Sequence, residues 1–219
     1  MSETDSFIDE VTEEVRRDKL FAIFRRYGWI GIALVVAIVG GAAWNEWQKA
    51  RATSDARAFG DAVLAALETS DPQARVAALD TVAGDDGRDR DAVAEFLAAD
   101  EALRGGDRDG ALARLETMAA DPALNASLRD LARLKSVVLA GAGMDAAERD
   151  ATLAELAMPG APYRVLAMEQ QAIVMADAGD TEGALKQLRL ILEEPDATAG
   201  LRRRVTQLIV VLGGDPEAA

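Results

Sequence analysis

A chain of 219 residues without one histidine or cysteine lacks the commonest general base, the commonest metal ligand and any thiol or disulfide chemistry. Its formal charge is −14, and residues 50–219 alone set 18 Lys and Arg against 30 Asp and Glu. So acidic a surface argues against nucleic acid and against lying flat on anionic lipid.

Residues 1–26 come first. Phe7, Ile8, Val11 and Val15 recur at helical spacing, and Leu20, Phe21 and Phe24 carry the pattern onward. Ser6 followed by Asp9 resembles a capping box with Asp in place of Glu, so a short amphipathic helix is expected. Such a helix either meets a partner or regulatory protease, or rests at a membrane interface. Glu10, Glu13 and Glu14 weigh against tight contact with lipid.

Residues 27–45 carry no charge, and aromatic residues bracket them: Tyr27 and Trp29 at one edge, Trp44 and Trp47 at the other. Amphiphilic rings prefer the headgroup layer. Nineteen residues at helical rise reach roughly 28 Å, close to the hydrocarbon thickness of a bilayer. A buried core helix has no reason to confine its tryptophans to both ends, so residues 27–47 are read as a transmembrane helix. A cleavable signal peptide is the competing reading, since Gly40-Gly41-Ala42-Ala43 offers small residues for cleavage. The apolar run is too long for that, and a net acidic extension precedes it, which favours an uncleaved anchor. Arg16, Arg17, Lys19, Arg25 and Arg26 precede the span, while Lys49, Arg51 and Arg57 follow. That bias puts the N-terminus in the cytoplasm and everything after the span on the far side.

Residues 48–212 read as an all-α domain. Apolar residues recur three and four apart, alternation is missing, and β-branched residues are sparse. Turn signals punctuate the stretch: Asp71-Pro72, Gly84-Asp85-Asp86-Gly87, Gly105-Gly106-Asp107, Asp121-Pro122, Gly141-Ala142-Gly143, Pro159-Gly160, Gly179-Asp180 and Pro195-Asp196. They divide it into hairpins of 46–69 with 72–83, 88–104 with 107–120, 123–140 with 145–157, and 161–178 with 181–193. A closing helix over 197–212 and a flexible tail over 213–219 follow, and the first helix is expected to continue out of the span.

An internal match at an offset of 73 residues organises this pattern. Gly106-Asp107 matches Gly179-Asp180, and Gly110-Ala111-Leu112 matches Gly183-Ala184-Leu185. Leu115 aligns with Leu188, Pro122 with Pro195, Leu128-Arg129 with Leu201-Arg202, and Val137-Val138-Leu139 with Val210-Val211-Leu212. The offset is near twice the 34 residues of a tetratricopeptide repeat. Gly-Asp would form the turn; Ala111 and Ala184 would sit where two helices touch; Leu115 and Leu188 would fill the groove between them. Ala99 and Ala172 take the small position of the first helix, and Arg114 is expected to face solvent. The fold class is therefore a single N-terminal transmembrane helix followed by a tetratricopeptide-like helical-hairpin solenoid.

Chemistry finds little footing. None of the six serines has a lysine three residues on, and no glycine-rich phosphate loop occurs, so no enzyme and no cofactor is expected. Asp107, Asp109, Gly110 and Glu116 match four positions of a calcium loop, but Gly105 occupies the first and Arg189 replaces the last acid in the other repeat unit. A hairpin turn explains both units. Asp85, Asp86, Asp89 and Asp91 read as a solvated helix start, with a divalent ion or partner as the sharper alternative. Arg202-Arg203-Arg204 reads as a solvent face, with a docking patch as its alternative.

The approach to the span, Phe24-Arg25-Arg26-Tyr27-Gly28, and its exit, Trp44-Asn45-Glu46-Trp47, together with the degenerate repeats, resemble a bacterial family. That family is the ancillary subunit of the SecYEG translocon, YfgM-like. The resemblance implies a single-pass inner-membrane protein with a periplasmic repeat domain. It also implies contact with the Sec channel and with a membrane-anchored periplasmic chaperone of the prolyl-isomerase type, through which exported client proteins pass. The family's cytoplasmic segment is tied to stress-response control, a role that no short motif in residues 1–26 carries. The alternative is an assembly or regulatory subunit of another inner-membrane complex built on the same scaffold.

Overall fold

A computed structural model of the chain describes residues 3–83 and 88–215. The expected turn at 84–87, with Asp85 and Asp86, and residues 216–219 of the expected tail lie outside the described residues. So do the side chains behind the amphipathic pattern of residues 1–24. The described residues are all-α, with no strand among them.

The chain divides into two compact units, residues 1–60 and 61–219. The first unit is helical throughout its described length and belongs to α1, Glu3–Leu67. A separate short helix over 1–26 is not formed: α1 begins at Glu3, so Ser6 lies inside it rather than at its cap. The aromatic belt sits on this helix. Trp44 and Trp47 stack at 5.1 Å between ring centroids, and the Arg51 guanidinium lies 5.8 Å from the Trp47 ring. The Arg26 guanidinium lies 6.0 Å from the Tyr27 ring. By length and composition, α1 is the one helix among the described residues able to cross a membrane.

The second unit comprises α2 (Pro72–Val82), α3 (Arg88–Arg104), α4 (Arg108–Ala120), α5 (Ala126–Ala140), α6 (Ala146–Leu156), α7 (Arg164–Asp177), α8 (Thr181–Glu193) and α9 (Ala199–Val211), with a 3₁₀ turn at Gly141–Gly143. Local chemistry starts these helices. Asp71, Asp107, Asn125, Asp145, Asp180 and Thr198 each stand at an N-cap and accept a backbone N–H from the first turn. Pro72 supplies the preset φ of a first helical residue. Each helix then packs on its sequence neighbour, α2 on α3 through to α8 on α9.

No single core forms. Ala99, Ala102, Ala111 and Leu115 make one cluster; Ala92, Met118, Leu124 and Ala132 make another. Further along lie Leu134, Val137, Leu153, Leu156 and Ala167, then Met168, Ala172, Leu188, Ile191, Leu201, Val205 and Ile209. A series of local cores, each shared by adjacent helices, is how a solenoid is stabilised. Truncating Leu115 or Leu188, both almost fully buried, to Ala would cost roughly 2–5 kcal/mol.

The offset of 73 recurs in the backbone. The bounds of α4, residues 108 and 120, shifted by 73, are the bounds of α8, residues 181 and 193. The turns correspond bond for bond. Asp107 N–H donates to Ala102 O at 2.9 Å, and Asp180 N–H donates to Met175 O at 2.9 Å. Gly106 and Gly179 hold φ of 85° and 86°, a left-handed conformation that glycine adopts without Cβ strain.

Candidate functional site

The inward faces of α3, α5, α7 and α9, with Arg108 and Leu115 of α4, enclose an open groove of about 1110 Å³. Helix periodicity fixes which side chains reach it. Ala99 and Leu103 lie four apart on α3, Leu131, Leu134 and Val138 at three and four on α5, and Arg204, Leu208 and Val211 at four and three on α9. Leu103, Val138 and Val211 are 43%, 55% and 80% exposed, so the groove floor offers apolar surface to water. A contiguous apolar surface of this kind marks a place where another molecule sits.

The charges in the groove are largely consumed by one another. Lys135 Nζ donates to Asp100 Oδ1 at 2.8 Å and lies 5.9 Å from the Phe96 ring centroid. Glu169 is buried on α7, and Arg204 of α9 meets it with both arms of its fork, Nε on Oε1 at 2.9 Å and Nη2 on Oε2 at 2.8 Å. The Glu169 hydrogen bonds push the Arg204 pKa above its already high ordinary value, so this guanidinium stays charged. Arg108 donates to the Leu139 and Ala140 carbonyls at the end of α5. An occupant therefore finds apolar contacts rather than a free cation or carboxylate at these positions.

Of the repeat-signature residues, Leu115 lines this groove. Ala111, Leu115, Ala184 and Leu188 are all buried at helix–helix contacts, as are Ala99 and Ala172. Asp107 and Asp180 cap α4 and α8, each accepting a glycine N–H, from Gly110 and Gly183, at 2.9 Å. A Cβ on Gly110 or Gly183 would fall inside the capping carboxylate, which explains a glycine in the first turn of both helices. Asp107 is thus engaged as a cap, and no cluster of three acidic groups placed to hold a metal ion occurs among the described residues. Asp89 accepts the Asn125 N–H at 3.2 Å and so ties the start of α3 to that of α5.

Two expectations need correction. Arg114 is only part-exposed: its guanidinium meets Asp80 of α2 and Glu95 of α3 at 2.7 and 3.0 Å, and these partners raise its pKa. The arginine run Arg202-Arg203-Arg204 is not one solvent face. Arg202 donates to the Leu192 carbonyl in the last turn of α8 and to the Glu194 and Ala197 carbonyls in the turn that follows, as Arg129 does to Leu124 one repeat earlier. Arg204 belongs to the groove, and only Arg203 stays exposed without a partner among the described residues.

Sequence reasoning missed Glu169, Leu103 and Ile173 as groove residues. A lone acid in the apolar run of α7 was the available signal, but its partner stands 35 residues away. The predicted anchors Tyr27, Trp29, Trp44 and Trp47 all lie exposed on α1.

Stacked antiparallel helices, recurring caps at one offset and an apolar inner groove define a helical-repeat domain of the kind that binds other proteins. The chain belongs to the tetratricopeptide repeat-like domain family, whose model matches residues 23–208. That match takes in the apolar stretch of α1 as well as the hairpins. Comparisons with curated proteins and with solved structures found no match.

Proposed function

We propose that this chain is a non-enzymatic scaffold of the bacterial inner membrane, anchored by residues 27–47 and associated with the Sec translocon. Its N-terminus lies in the cytoplasm and its repeat domain in the periplasm. There the groove of α3, α5, α7 and α9 holds apolar segments of exported proteins before a membrane-anchored chaperone takes them. The observation that carries this reading is the groove, apolar at its floor and with its charges paired, in a chain whose α1 is apolar enough to cross a bilayer. Segments of newly exported chains that are destined for a core have the matching chemistry: uncharged, apolar and briefly without a partner. The Sec channel as neighbour is supported by the resemblance carried by Phe24–Gly28 and Trp44–Trp47.

The test is photo-crosslinking in living cells from residues placed at Val138 and Ile173, with the products identified by mass spectrometry. Exported chains in transit, with the Sec channel and a membrane-anchored chaperone co-purifying, is the expected result. Products consisting of the subunits of one other membrane complex would replace this reading with an assembly role.

A further inference from the structure

The two repeat units differ in one respect. In the first, α5 presents three faces. Leu128 and Ala132 turn toward α3 and α4, with Ser136 beside α4. Leu131 and Val138 face the groove, and Arg133 and Val137 meet α6, with Asp130 one turn earlier on their stripe and paired to Arg133. The α6 side of that contact supplies Leu153 and Leu156, both buried, and Glu155, which accepts from Arg133. Val137 is 3% exposed beneath it.

Shifted by 73 residues, the same faces fall on α9. Leu201, Val205 and Ile209 pack inward, and Arg204 and Val211 line the groove. The stripe equivalent to Asp130, Arg133 and Val137 is Arg203, Thr206 and Val210. Among the described residues no helix covers it as α6 covers α5. Val210 is 57% exposed, and Arg203 makes no ion pair with any described side chain.

We infer that the Arg203–Thr206–Val210 stripe of α9 docks an acidic amphipathic helix of a partner protein, in the position that α6 takes on α5. The repeat supplies the template for the occupant. α6 brings two leucines three apart on one face and carries Asp145, Glu148, Asp150 and Glu155 against a single arginine, Arg149. On α5 the charges of Asp130 and Arg133 offset each other, whereas Arg203 and Thr206 leave the α9 stripe with one positive charge, which suits an acidic helix. Burial of Val210 beneath a leucine side chain reproduces the apolar contact already formed between α5 and α6; Thr206 stands at the Arg133 position, so the charged contact shifts to Arg203, one turn earlier on the same stripe. None of the three residues lines the groove, and Val210 lies about 100° around α9 from Val211, so occupancy of the stripe can be read separately from what the groove holds.

The probe is a fluorescent peptide of residues 144–158, the α6 sequence, stapled helical on its exposed face. It is titrated against the full chain in detergent micelles and followed by anisotropy. Saturable binding is expected, weakened about tenfold or more by Val210→Asp or Arg203→Glu. Val138→Asp, in the groove, should leave the affinity within about twofold. Both substituted stripe positions are exposed, and unchanged circular dichroism would verify that the fold is intact. Absence of saturable binding, or wild-type affinity in Val210→Asp, would overturn the inference. So would a concentration-dependent dimer of the chain that Val210→Asp abolishes, because the occupant would then be a second copy. Loss of client crosslinks at Val138 with peptide binding intact would count against the groove reading alone.

Discussion

Ala111 and Ala184 are 1% and 0% exposed, each pressed against a neighbouring helix with room for a methyl group and no more. Phe at either position should overpack that contact and cost about 1–3 kcal/mol, read by chemical denaturation. Arg114 cannot serve as the surface control, because it bridges α2, α3 and α4. Ala113, exposed on the same helix, is the matched control: Ala113→Phe loses only helix propensity, about half a kcal/mol. Equal losses at all three positions would show that the buried alanines do not set the helix spacing. These close-contact positions could be read in the sequence because each is flanked by a Gly-Asp turn at a fixed distance. Arg114 could not, since a charge among alanines looks alike whether it faces water or two carboxylates of other helices. Those carboxylates stand 34 and 19 residues away, a separation that no helical period encodes.

At the scale of elements, local signals placed the helices and tertiary ones did not. Turn signals on either side gave α3 its residue limits, 88–104, and the Asp180 cap with a following apolar period gave α8 its own, 181–193. α1 escaped the expected division because its caps would have been internal: Ser6 competes poorly with an uninterrupted run of helix formers on either side. Within α1, Val36 stands near the middle of residues 27–47 and is exposed. Val36→Arg should weaken membrane insertion by about 2.5–3.5 kcal/mol, read as the fraction inserted in a translocon assay. Unaltered insertion would mean that residues 27–47 do not span. A second element-level contact has a pH signature. Arg164, at the start of α7, meets Glu194, just past α8, at 2.5 Å. Hydrogen bonding from Arg164 holds the Glu194 carboxyl below its ordinary value near 4.5. A depressed carboxylate stabilises the fold above its unfolded pKa, and that contribution is lost as pH falls through the folded value. Wild-type stability should therefore exceed that of Glu194→Gln at neutral pH, and the gap should close as the pH is taken below 4.5. A gap that does not change with pH would mean that the ion pair contributes nothing.

Over the whole molecule, the repeat was legible and the groove was not. A solenoid is built from neighbours in sequence, so an offset match such as Val137-Val138 with Val210-Val211 announces it. The groove joins residues from five separate helices, and it emerges only once these stack. Topology, by contrast, depends on charges close to one apolar stretch. Five Lys and Arg residues precede residues 27–47 within a dozen positions, and three follow within a similar distance. Positive residues are held back on the cytoplasmic side during insertion, whereas Asp and Glu weigh little, so the acidic excess of the repeat domain does not enter the expected orientation. A reporter active only in the periplasm should be active when fused after Ala219 and silent when fused before Met1. Moving the bias should move the result. Neutralising Arg16, Arg17, Lys19, Arg25 and Arg26 to Gln, while adding Lys at Gln48, Ala50 and Ala52, should raise the fraction with a cytoplasmic C-terminus. Periplasmic activity only from the fusion before Met1 of the unaltered chain would reverse the topology. The groove would then face the cytoplasm, out of reach of any exported protein, and the proposed role at the Sec channel would fall with it.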